Sequence, residues 1–174
     1  MTNWKTYPWR SGQFLQTLFV ASVMFGSGAF MPSPARAAWF IEDYSEFGEY
    51  SAVTADEQGK VEMHISCSLD YPEDVGITIF TGERYDPETS YSDEVPIGVI
   101  ASGVQQPVAY GSFQEIEGEL VVVSDTSRDE ALALVIGAMA KSSSPIVVQF
   151  YTREYRFSPE TLDISLARLF ENCT

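Results

Sequence analysis

Few side chains in this chain of 174 residues offer reactive chemistry: one histidine, His64, two cysteines, Cys67 and Cys173, and a large excess of carboxylates. Catalytic zinc generally takes two or three histidines or several thiolates, which a single histidine does not supply. As a general base His64 would need a nucleophile beside it, and no serine sits in a G-x-S-x-G setting. Adjacent acids include Glu73-Asp74, Asp93-Glu94 and Asp129-Glu130. A glycosidase needs two carboxylates held across a cleft, and neighbouring pairs arise by composition in so acidic a chain. Asp86, Glu88, Asp93 and Glu94 are oxygen ligands of a type calcium accepts, yet they lack the register of an EF-hand. A solvated acidic loop is the simpler reading. With no phosphate-binding glycine loop and no dinucleotide fingerprint, the expectation is neither an enzyme nor a cofactor protein.

What the cysteines do depends on the compartment. Residues 1–37 carry Lys5 and Arg10, then a largely apolar run, then Pro32, Pro34 and Ala35-Arg36-Ala37. This is the pattern of a signal peptide cleaved after Ala37, leaving residues 38–174 as one exported domain. An uncleaved anchor is the alternative. The run reaches the roughly 20 residues of a bilayer span only by including Gln16, Thr17, Ser22, Gly26, Ser27 and Gly28. Without the leader no stable membrane insertion is expected, and the protein belongs in the periplasm or outside the cell.

In an oxidising compartment two cysteines usually pair. Residues 61–67 alternate strictly, with Val61, Met63, Ile65 and Cys67 on one parity and Glu62, His64 and Ser66 on the other. That predicts a half-buried strand with Cys67 in its core row and His64 exposed on the polar side. Cys173 falls on the apolar face of a predicted helix, alongside Leu162, Leu166, Leu169 and Phe170. An internal strand-to-helix disulfide follows, with a bridge to a partner chain as the alternative.

The leader holds three bases and no acid, so residues 38–174 carry 25 acids against 7 bases, a formal charge of −18. Nucleic acids and anionic membrane surfaces both need basic patches, so neither is expected as a partner. Solubility alone accounts for such a charge, and a basic protein partner would also suit it. Tyr71, Phe80, Tyr85 and Tyr91 form a candidate contact patch, since aromatic residues are enriched in interfaces.

The remaining pattern supplies the scaffold. Residues 51–55 and 61–67 flank the turn residues Asp56-Glu57-Gln58-Gly59, and residues 108–113 and 120–123 flank Glu117-Gly118-Glu119, giving two hairpins. Residues 75–81 alternate as a strand, and residues 82–94 read as a polar connection. Pro96 and Gly98 reduce residues 95–101 to an edge strand. Ser127-Arg128-Asp129-Glu130 has the spacing of a capping box for a helix carrying Leu132, Val135, Ile136 and Met139. Residues 146–151 predict a central strand that residues 153–157 continue. Ser158-Pro159-Glu160 starts the last helix. The predicted class is α+β: a mainly antiparallel sheet or sandwich with two late helices.

The Cys67 strand, with Tyr155-Arg156-Phe157-Ser158-Pro159-Glu160 leading into Leu166-Ala167-Arg168-Leu169-Phe170-Glu171-Asn172-Cys173, resembles the small exported proteins of the invasion-associated locus B family. The resemblance implies an envelope location and no established enzymatic site. The functional expectation is a non-enzymatic periplasmic or envelope-associated binding or accessory protein, its partner unknown. An acidic inhibitor of a cationic, lysozyme-type cell-wall hydrolase is the alternative.

Overall fold

The computed structural model describes residues 38–127 and 129–173; the expected signal peptide and its cleavage point after Ala37 lie outside the described residues. Along the chain run β1 (Phe40–Tyr44), a single 3-10 turn (Ser45–Phe47), β2 (Glu49–Ala55), β3 (Glu62–Ser68), β4 (Val75–Arg84), β5 (Val95–Ala101), β6 (Val104–Gln105), β7 (Ala109–Ile116) and β8 (Glu119–Asp125). The helix α1 (Ala131–Ala140), β9 (Ile146–Phe150), β10 (Arg153–Phe157) and α2 (Leu162–Cys173) complete it. The fold is α+β, as the pattern predicts. Its strands join one antiparallel sheet in the order β1-β2-β3-β4-β8-β7-β5-β9-β10, with β6 beside β5.

Alternation decides which face goes inside. In β3, Met63 and Ile65 are fully buried, and their cross-strand partners are Ile79 and Ile77 of β4. That row continues through Val122 of β8 to Val148, Phe150 and Phe157, and the buried residues of both helices belong to the same core. On α2, Leu162, Ser165, Leu166, Leu169 and Cys173 are buried, and this helix packs on β1, β2 and β3. Cys173 is bonded to Cys67 with the Cα atoms 6.3 Å apart, inside the ordinary range for a disulfide. The sheet also curls until its ends meet: Asp56, just past β2, bridges Phe157 of β10, and the Glu57 N–H donates to the Arg156 carbonyl at 2.9 Å.

Several local expectations are corrected. β5 is an interior strand. Its first half pairs with β7 and β9 joins only from Gly98, so Pro96, which lacks an N–H, meets a neighbour on one edge alone. Residues 153–157 do not continue β9. They fold back on it through the two-residue turn Tyr151-Thr152, with Phe150 opposite Arg153. The serine of the expected capping box bonds instead to Asp125, and Asp129 accepts the Ala131 N–H at 2.9 Å as α1 begins. The last helix begins after Thr161, whose φ of 65° interrupts helical geometry, while the Ser158 hydroxyl accepts the Glu160 N–H at 3.1 Å. Phe170 lies at the rim of α2, 39 % exposed, and Ser165 occupies the buried position. β1 adds a strand that its acidic composition concealed.

β4 extends through Arg84, three residues into the expected connection. Its register against β8 shifts between Phe80 and Arg84 around Gly82, which has a φ of 70°. A Cβ on Gly82 would lie 2.6 Å from the Lys60 carbonyl oxygen. Gly82→Ala is therefore expected to destabilise by about 1–3 kcal/mol, read as a lower midpoint in urea unfolding.

Candidate functional site

Two groups of side chains bear on function, and the topology places both. The first lies on the sheet face turned away from the core. His64 is 5 % exposed there, which corrects the expectation of a solvent-facing histidine. β3 has neighbours on both edges, so Val53 and Thr78 stand directly opposite His64. The Phe80 ring packs on it with centroids 4.8 Å apart. A side chain in mid-sheet is covered by cross-strand and diagonal neighbours even on the outer face. His64 Nε2 is 3.5 Å from a Glu62 carboxylate oxygen, and the bond to His64 holds the Glu62 carboxyl below its ordinary range.

Alongside, Glu49 accepts bonds from the hydroxyls of Ser51, at 3.4 Å, and Ser66. The serines thus serve a carboxylate. Tyr44 donates to Glu42, and burial followed by that bond raises the Tyr44 phenol. Burial also raises Glu49, against the lowering effect of its serine partners. An acid raised on folding favours the protonated folded state. Its contribution is complete below the ordinary glutamate range and is lost as pH rises through the higher folded value. Glu49→Gln keeps an acceptor for the serines and removes the buried charge. Thermal unfolding of this variant is expected to match the parent near pH 4 and to exceed it at pH 7.

The second group lies where the chain crosses from β4 to β5. Those strands are separated in the sheet by β8 and β7, so residues 85–94 must pass over three strand spacings, roughly 14 Å. The crossing loop is fixed by its own bonds. The Tyr85 N–H donates to the Gly118 carbonyl at 2.9 Å, and the Asp86 N–H to the Tyr91 hydroxyl at 3.2 Å. The two Asp86 carboxylate oxygens accept from the Glu88 N–H at 3.0 Å and the Thr89 hydroxyl at 2.7 Å. The Thr89 bond, then the Glu88 bond, lowers the Asp86 carboxyl.

This path lays Tyr91 against Phe113 of β7 and begins a row of rings. Tyr85 stacks on Tyr91 at 5.1 Å, Tyr91 meets Phe113 at 5.5 Å, and Tyr151 stacks on Phe113 at 5.9 Å with the planes 10° apart. Phe150 and Tyr155 prolong the row, and the Arg153 guanidinium lies over the Phe150 ring, 6.0 Å from its centre. Arg153 also donates two bonds, of 2.9 and 2.5 Å, to the two oxygens of Glu83.

Of the four aromatic candidates, the fold brings Tyr85 and Tyr91 together. Phe80 is spent on His64. Tyr71, 62 % exposed, lies before the start of β4, a ten-residue strand away from Tyr85 or about 30 Å. Asp86, Glu88, Asp93 and Glu94 share the crossing loop, but among the described residues no group of three or more histidine, cysteine or acidic side chains is placed to hold a metal ion. Phe113, Tyr151, Arg153 and Glu83 were not singled out in the sequence. A hairpin signal was present for Tyr151, since only two residues separate the last two strands.

Two depressions flank the β2–β3 turn. One of about 200 Å³ is lined by Lys60, Glu62, Phe80 and Glu119, and one of about 250 Å³ by Asp56, Glu57, Tyr155 and Arg156. Both are below the roughly 300–1,000 Å³ usual for sites that enclose a small ligand. Among the described residues no helix is long and apolar enough to cross a membrane. No family model, no curated protein and no solved structure matches the chain.

Proposed function

We propose that this is a non-enzymatic protein of the bacterial envelope, exported by its first 37 residues, which binds a basic protein. The row of surface rings at the end of the sheet, set in a chain with 25 acids against 7 bases after the leader, carries this reading. Aromatic anchors bounded by polar groups are a common form of binding surface, and net charge of one sign speeds encounter with a partner of the other. The disulfide suits an oxidising compartment. The family resemblance of the Cys67 strand and the C-terminal helix points to the same location.

The test is calorimetric titration of the purified exported protein with basic and acidic proteins of similar size. Expected is binding of at least one basic protein that persists at physiological salt and weakens in Tyr91→Ala. Loss of every interaction at that salt would overturn the reading, because attraction between exposed charges alone is screened. The mass of the exported protein is expected to correspond to a chain starting at Ala38.

A narrower reading, favoured by the −18 charge on a small disulfide-bonded protein, is inhibition of a cationic, lysozyme-type cell-wall hydrolase. Hydrolase activity unchanged by a molar excess of the protein at low salt would remove it.

A further inference from the structure

Resting on the reading of a basic partner, we infer that this end of the sheet recognises arginine side chains of that partner in preference to lysine. Arg153 displays the chemistry within the chain itself. Its planar guanidinium covers the Phe150 ring while Nε and Nη2 donate side by side to the two oxygens of Glu83. An ammonium group has no plane to lay on a ring and no fork to match a carboxylate.

Rings and carboxylates continue along the row beyond Arg153. Tyr85 and Tyr91 are half-buried stacked rings, and the loop that carries them exposes Glu88, Asp93 and Glu94. Tyr151 presents one face to Phe113 and is 57 % exposed. Its φ of 51° lies in the left-handed region, which is costly for a bulky residue and which Gly or Asn would occupy more readily. A ring is kept at the tip of this turn in spite of that cost. Stacked rings beside exposed carboxylates, in a chain of formal charge −18, are complementary to guanidinium groups approaching from outside.

Two peptides of equal length and charge, one with arginine and one with lysine at every basic position, test the preference against the exported protein at physiological salt. The arginine peptide is expected to bind about fivefold tighter or more, the scale of a cation–π contact near 1 kcal/mol. Tyr151→Asn suits the turn backbone, so it is expected to keep the fold while reducing the preference; Tyr91→Ala, checked by thermal unfolding, is expected to abolish it. In backbone amide NMR spectra the arginine peptide is expected to shift Tyr85, Tyr91 and Tyr151. Equal affinity for both peptides would overturn arginine recognition and leave the basic partner standing. The same holds if a basic protein binds while neither peptide does. Binding of a cell-wall glycan fragment at these rings, with no basic protein or peptide bound, would overturn both.

Discussion

Replacing Cys67 and Cys173 together by serine is expected to lower the thermal midpoint of residues 38–174 by roughly 15 °C. The bridge closes a loop with a sequence separation of 106, for which the chain-entropy model gives about 4.7 kcal/mol. For a chain of this size each kcal/mol moves the midpoint by roughly 3–4 °C. Native contacts point the same way, because the bridge fastens α2 to an interior strand: Cys67 has Tyr50 opposite on β2 and Val75 opposite on β4. Scanning calorimetry of the variant, alongside the parent with and without reductant, measures the effect. A fall of less than about 3 °C would mean that the unfolded chain is already restrained without the bond.

Phe157→Ala is expected to cost about 3–5 kcal/mol, the range for a phenylalanine removed from a packed core. Phe157 is fully buried and lies where the curled sheet meets itself, its backbone bridging Asp56. Removing the ring loses its transfer free energy and leaves a void in the core it shares with Leu162, Leu166 and Leu169 of α2. Phe170→Ala is the matched control. The same substitution at a 39 % exposed ring should cost roughly 1 kcal/mol or less. Urea unfolding of both variants separates the two cases, and equal losses would contradict the assignment of Phe157 to the core.

The contrast between these phenylalanines shows what the sequence could convey. Parity identified Val61, Met63, Ile65 and Cys67 as a core row, and helical spacing identified Leu132, Val135, Ile136 and Met139. Both patterns reflect burial against one continuous surface, which is a local property. Helical spacing alone did not separate Phe170 from Ser165, because the edge of the buried stripe depends on where β1 and β2 stop. His64 was misplaced for a related reason: alternation reports which face a residue is on, not how well neighbouring strands cover it. The edge assignment of β5 failed because Pro96 forbids only one bond, and the sheet leaves that half of the strand with a single neighbour.

The row of rings was legible only in part. Tyr85 and Tyr91 are six residues apart and could be noticed together. Their union with Phe113, Tyr151 and Arg153 depends on the strand order β4-β8-β7-β5, a long-range outcome with no local signature. Once that order is known, the crossing loop has only one place to lie, over the ends of β8 and β7.

That strand order also constrains how the protein reaches its native state. β4 must wait for β8, β5 for β9, and the end of β2 for β10 before the sheet can close. Chains dominated by such distant pairings fold in milliseconds to seconds. A chain emerging N-terminus first would leave the outer edge of β4 exposed until β8 arrives. The thiol of Cys67 would stay available to oxidants until Cys173 emerged 106 residues later. In an oxidising compartment, maturation would then favour a factor that shields the open edge of β4 and reduces disulfides formed with other molecules during that interval.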